Sequence, residues 1–200
     1  MAEKLYSHAV CRSISWAPFF GGYKPKVVFH PGGMSVYSMS SKDAAKARMQ
    51  LDKTIKVMVP AAGSEADILV ENLPAHCWFF GGEWLAGIGS NPADIVSICE
   101  DHGIGMTLDL CHLYLACQAK GLDIERCIDM CLPHVKHIHY SGASGIDGEG
   151  LAIDSKDNKF DVAKAMIKLA DIKAVAVPEI WFGHKNKGAG FVQAWNSLEK

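Results

Sequence analysis

The stretch Met106-Thr107-Leu108-Asp109-Leu110-Cys111-His112 decides how the rest of this 200-residue chain is read. An apolar, β-type run ends on an acid, and an imidazole follows three residues later. An acid at the carboxyl end of a strand, with a histidine on the next turn, can place an oxygen and a nitrogen on one small cation. Four other apolar runs close in the same way. Lys26-Val27-Val28-Phe29 leads into His30 and Ala66-Asp67-Ile68-Leu69-Val70 into Glu71. Val135-Lys136-His137-Ile138 leads into His139, and Lys173-Ala174-Val175-Ala176-Val177-Pro178 into Glu179.

Helical signals separate these runs. Residues 5–17 mix apolar and polar positions and predict a helix that ends before Pro18. Ser40 or Ser41 caps a helix over about 42–53, with Asp43 in its first turn. Asn91-Pro92 is a cap followed by a first-turn proline, and that helix stops at Gly103. Helical material covers 113–131, about 160–170 and 189–198. The Gly- and aromatic-rich segment 75–91 has no clean period and reads as a long loop, as does the polar, Gly-rich segment 141–158. Strands alternating with helices at this spacing predict an α/β fold of parallel βαβ units, each strand covered on both faces. The five strand-end residues then share one edge, the edge where ligands bind in parallel α/β proteins.

Bulk composition is consistent with this. At 49% hydrophobic and 21% charged the chain is an ordinary globular domain, read as one unit over 1–200. A net charge of −2 supplies no global basic field for nucleic acid. No apolar run approaches the roughly 18 residues that span a bilayer. The N-terminus has no secretory core. The seven cysteines include no CxxC pair, which predicts reduced, buried thiols in a cytoplasmic protein.

His30, Glu71, Asp109, His112, His139 and Glu179 form a mixed oxygen and nitrogen set, suited to Mn, Zn, Co or Mg. Glu71 and Glu179 end buried runs, and such carboxylates need a partner for their charge. His137 and His139 point the same way from their strand, with His139 nearer the end. Two carboxylates on one cation suit proton removal beside a sugar carbonyl through a metal-stabilised enediolate. The alternative is hydroxide attack on a phosphodiester. Gly183-His184-Lys185-Asn186-Lys187-Gly188 follows the last strand and opens the last helix, a place suited to phosphate.

Phe29-His30-Pro31-Gly32, Val70-Glu71-Asn72, Leu108-Asp109-Leu110-Cys111-His112, His137-Ile138-His139 and Pro178-Glu179 together resemble the xylose isomerase-like TIM-barrel superfamily. The match covers roughly 26–195. That superfamily holds sugar isomerases and epimerases and the endonuclease IV type of apurinic endonuclease (AP endonuclease family 2). The resemblance implies a (β/α) TIM-barrel fold, metal ligation by Glu71, Asp109, His139 and Glu179, and His112 on substrate or a second metal. Glu71, Glu179 and His112 become the catalytic candidates, with His30 and His112 as additional metal candidates. His184, Lys185, Asn186, Lys187 and Trp181 become candidates for phosphate or substrate.

Phe-His-Pro-Gly and Asp-x-Cys-His look like endonuclease IV. The loop after His139, however, lacks that family's Asp-x-His pair. Gly145-Ile146-Asp147-Gly148-Glu149-Gly150-Leu151 and Glu179-Ile180-Trp181-Phe182-Gly183-His184-Lys185-Asn186 look instead like the sugar-phosphate isomerase/epimerase branch. The expected function is a divalent-metal sugar or sugar-phosphate isomerase/epimerase, and nucleic acid is a partner only under the nuclease alternative. A non-catalytic metal- or sugar-binding remnant is the third reading. A complete barrel needs about 250 residues. About five βα units are visible, with the N-terminal strands missing, so the expectation is a partial barrel whose open edges a partner chain or second copy covers.

Overall fold

The alternation of strands and helices is realised in the structure, a computed structural model that describes residues 2–79 and 81–198. In chain order the elements are α1 (Ala2–Trp16), β1 (Lys26–Phe29), β2 (Met34–Ser35), α2 (Ser41–Ala62), β3 (Asp67–Glu71), β4 (His76–Phe79), β5 (Gly82–Ala86) and α3 (Pro92–His102). There follow β6 (Gly105–Asp109), α4 (Leu110–Lys120), α5 (Ile124–Cys131), β7 (Val135–Tyr140), β8 (Gly142–Ser144), β9 (Gly148–Leu151), α6 (Val162–Lys168), β10 (Val175–Pro178) and α7 (Lys185–Leu198).

Five strands form one curled parallel sheet in the order β1-β3-β6-β7-β10. Each successive βα unit adds its strand beside the last, the arrangement that closes a barrel when eight strands are present. With five, β1 and β10 are the two edges. Positions in phase with the strand-end acids and histidines, such as Leu69, Thr107, His137 and Val177, face the concave side. The alternate positions Phe29, Val70, Leu108 and Ile138 are buried in the main apolar core with helix residues such as Ile55, Ile95 and Leu115. On the β10 edge Val175 and Val177 are exposed.

Helix ends follow their sequence signals. The Ser40 hydroxyl accepts from Asp43 N at 3.2 Å, and Asn91 Oδ1 accepts from Ala93 N at 3.2 Å. The helix expected over 42–53 runs on to Ala62, because Thr54, Ile55, Met58 and Ala62 continue the buried stripe begun at Leu51. The helical span 113–131 divides into α4 and α5 at Gly121, whose φ of 64° ends a helix where a side chain would be strained.

Two segments expected as loops contain strands. In 75–91, β4 and β5 pair as an antiparallel hairpin, and β5 also pairs with β2. In 141–158, β8 and β9 pair antiparallel. Both are short and aromatic- or glycine-rich, and pairing between segments, not periodicity, fixes them. All seven cysteines are unpaired, and six are buried. Among the described residues no helix is long and apolar enough to cross a membrane.

Candidate metal centre

Strand polarity puts the site at the carboxyl ends of β3, β6, β7 and β10. There Glu71, Asp109, His139 and Glu179 each offer a ligand atom, and these atoms all lie within 4.8 Å of one another. His139 Nδ1 is 3.2 Å from Glu71 Oε1 and 3.2 Å from Glu179 Oε1. The first three residues are buried, whereas the Glu179 side chain, on the edge strand, is 47% exposed. A larger cavity of about 420 Å³ lies at the opposite end of the sheet, beside Asp67, Gly105 and Lys136, where the strands begin.

Asp109 has two jobs. Its Oδ1 accepts from His112 N at 2.7 Å and caps α4, so the acid that ends the strand also starts the next helix. Its Oδ2 is buried with no hydrogen-bond partner. An orphaned carboxylate oxygen aimed at two further carboxylates and an imidazole fits a cation, which would supply the missing charge. The set of three carboxylates and one imidazole suits Mn, Zn, Co or Mg.

Asn72 fixes this acid from behind. Its Oδ1 accepts from Asp109 N and its Nδ2 donates to Asp109 O, both at 2.9 Å. Asn72→Ala strands both main-chain groups in a buried setting, at about 1–3 kcal/mol each. We expect denaturant unfolding to show a loss of about 2–4 kcal/mol; a loss below about 1 kcal/mol would mean that the clamp is dispensable.

His112 stands beside the cluster. Its Nδ1 lies 2.9 Å from Asn72 O, and its Nε2 lies 3.1 Å from Glu149 Oε1. Glu71 Oε1 is farther from Nδ1, at 3.6 Å. Both ring nitrogens are therefore engaged, and His112 is placed to present an N–H, not a lone pair for a cation. His30 Nε2 is 3.4 Å from Glu71 Oε2, and its ring centroid is 6.3 Å from that of His112. Both histidines flank Glu71 but lie outside the four-residue set. His137 packs edge-on against His139 with centroids 4.9 Å apart.

The electrostatics separate the two glutamates. Burial pushes Glu71 up, but hydrogen bonds from His139 and His30 and the nearby imidazole charges outweigh it and hold Glu71 well below the usual carboxylate range. Burial raises Glu179, assisted by Asp109 and Glu71 and opposed by the charge of His139. Burial likewise raises Asp109. Burial works against charge on His112, yet Asp109 and then Glu149 lift it to about 10. Burial also opposes charge on His139, and the Glu71 bond and charge raise it.

A cation must displace the proton from His139, whose hold on that proton extends above the ordinary histidine value near 6.5. Apparent cation affinity is therefore expected to fall as pH drops, beginning on the alkaline side of about 6.5. Titration with Zn²⁺ at several pH values checks this. Affinity that is flat from about pH 8 to pH 6 would contradict it.

Above the cluster lies a cavity of about 160 Å³, lined by His30, Glu71, His112, Glu149, Glu179 and the aromatic pair Trp78 and Phe79 of β4. The hairpin of β4 and β5 thus roofs the site. The loop 183–188 does not line this cavity. His184, Lys185, Asn186 and Lys187 are exposed, and Lys185 Nζ lies 4.1 Å from the centre of the Phe182 ring. The Trp181 indole packs on the β9 backbone at Gly150, and its main-chain N–H donates to Gly150 O at 2.9 Å. Sequence reading assigned no role to Asn72 or Glu149. The only signal for either is its place within a quoted motif.

No protein-family model matches the sequence, and no curated protein matches it. Solved structures do. A D-tagatose 3-epimerase-like protein aligns with TM-score 0.65 at 17% identity, over 98% of this chain and 68% of its own. The probable 3-DHS dehydratase AsbF of Bacillus anthracis aligns with TM-score 0.65 at 14% identity, over 96% of this chain and 68% of its own. A D-allulose 3-epimerase from Methylomonas sp., solved with D-allulose, aligns with TM-score 0.60 at 12% identity, over 97% of this chain and 61% of its own. The chain shares the (β/α)-barrel type of fold of these structures, present as a five-stranded half-barrel. At these identities the likeness is one of fold, and the dehydratase among the neighbours means that fold alone does not fix the reaction.

Proposed function

We propose that this chain carries the metal centre of a divalent-cation-dependent isomerase or epimerase acting on a sugar or sugar phosphate. The observation that carries this reading is the convergence of Glu71, Asp109, His139 and Glu179 around the unpartnered, buried Asp109 Oδ2. Glu71, Asp109, His139 and Glu179 would hold a divalent cation, which would supply positive charge to offset the carboxylates and stabilise developing negative charge on a substrate oxygen. Glu179 lines the cavity and is the more exposed of the two glutamates, so it is the group that exchanges a proton with the carbon beside the carbonyl. Glu71, on the other side of His139 Nδ1, is held ionised and accepts the proton from the opposite face. His112, whose Nε2 pairs with Glu149 at the cavity wall, shares that N–H with a substrate oxygen.

The neighbours named for D-tagatose and D-allulose epimerisation support this reaction class. The nuclease reading draws on one observation, the flanking of Glu71 by His30 and His112, which could build a second cation site. A phosphorylated substrate would have to extend beyond the cavity to meet Lys185 and Lys187, which do not line it. The open β1 and β10 edges support a covering partner or second copy; a cooperative, soluble monomer of 21.7 kDa by sedimentation would contradict that.

Incubating the chain with Mn²⁺ or Co²⁺ and free or phosphorylated ketoses in D₂O tests the reaction. The expected result is loss of the proton signal on the carbon beside the carbonyl. Cleavage of an abasic duplex without such exchange would replace this reading with the nuclease.

A further inference from the structure

Glu149 is unexplained by the four-residue centre, yet its carboxylate reaches His112. It sits on β9, in the hairpin that directly follows β7 and His139, and it lines the cavity over the cluster. His112 is 5% exposed and starts α4, where its ring meets an acceptor at each pole: Asn72 O at 2.9 Å from Nδ1 and Glu149 Oε1 at 3.1 Å from Nε2. A carbonyl oxygen cannot donate, so Nδ1 carries a proton. At the other pole one proton lies between nitrogen and carboxylate. Two acceptors at opposite ends fix both the ring plane and the tautomer.

The hairpin is itself anchored. Gly150 has φ +69°, and a Cβ there would lie 2.2 Å from Trp181 Cδ1, so the indole rests directly on the β9 backbone. The bond from Trp181 N to Gly150 O ties that strand to the segment following Glu179. Glu149 is thus held between the loop after β10 and the start of α4.

We infer that Glu149 is the positioning residue for His112, fixing its ring plane and tautomer so that the Nε2–H at the cavity is shared in a fixed direction between the Glu149 carboxylate and an entering substrate oxygen. The catalytic part of this inference rests on the isomerase or epimerase reading, whereas the structural part stands without it. Partners that orient metal-binding histidines are worth about 10- to 100-fold in activity, and we expect an effect on the same order for the orientation of His112.

The test uses the full ¹⁵N-labelled chain, with His112 ring signals assigned through His112→Gln. In wild type the ring is expected to give one set of signals, with both nitrogens protonated or sharing a proton. Glu149→Ala should shift and broaden them, whereas Glu149→Gln, whose amide oxygen still accepts, should keep one set. Identical His112 signals in wild type and Glu149→Ala would overturn the inference. In the deuterium assay Glu149→Ala should lower kcat by about 10- to 100-fold with little change in KM, Glu149→Gln should recover most of it, and bound Zn²⁺ should stay constant. A rise in KM with kcat unchanged, or loss of Zn²⁺, would assign Glu149 to binding instead. Absence of exchange in wild type would remove the isomerase reading and leave the ring signals to decide the role of Glu149.

Discussion

Replacing Asp109 with asparagine should stabilise the metal-free chain and abolish its response to divalent cations. The two effects have opposite signs because one atom causes both. Asp109 is 1% exposed, its Oδ2 lacks a partner, and burial raises its pKa, so its charge opposes folding when no cation is present. An acid whose folded pKa is raised destabilises the fold as pH climbs from its unfolded value of about 3.9 through the folded one. Metal-free wild type should lose more stability across that window than Asp109→Asn, in which only the raised Glu179 of the centre remains to oppose folding. Asparagine keeps the α4 cap, since its side-chain oxygen still accepts from His112 N. It removes the anionic ligand, so cation affinity should fall by more than the roughly 10- to 100-fold typical of an outer partner. Thermal unfolding with and without Zn²⁺ reads both effects. A variant less stable than metal-free wild type, or still stabilised by Zn²⁺, would contradict the account.

Glu179→Gln is expected to abolish solvent-deuterium exchange into the substrate. Proton transfer by a placed side chain contributes about 10²- to 10⁴-fold, and glutamine can neither take nor return a proton. Glu179 sits on the edge strand, so the substitution removes little buried packing and the fold should persist. Because Glu179 is also in the ligand set, cation content must be measured alongside. Exchange lost together with the cation supports its place in the centre; exchange lost with the cation retained isolates its role as acid and base. Exchange at the wild-type rate would remove Glu179 from the reaction.

The strand ends were legible in the sequence because a charge or imidazole closing an apolar run is conspicuous, and parallel alternation sends every such end to one edge. That logic reached His30, Glu71, Asp109, His112, His139 and Glu179, and the family resemblance narrowed them to the four whose ligand atoms converge. It did not reach Asn72, whose clamp on Asp109 spans 37 positions and leaves no local pattern. Nor did it reach Glu149, because 141–158 is polar and glycine-rich, and only the pairing of β8 with β9 and the indole of Trp181 fix its direction. The aromatic roof was hidden for the same reason: β4 and β5 hold each other in place, and neither is periodic enough to announce itself. Loop 183–188 carried a basic, glycine-rich signal, but His184, Lys185, Asn186 and Lys187 are exposed and do not line the cavity.

The central claim is that the four strand-end residues hold one cation. Equilibrium dialysis of the purified chain against Zn²⁺, Mn²⁺ or Co²⁺, followed by elemental analysis, measures this directly. The account predicts one equivalent per chain in wild type and none in Asp109→Asn. Wild type that binds no cation, or a variant that binds as wild type does, would contradict it.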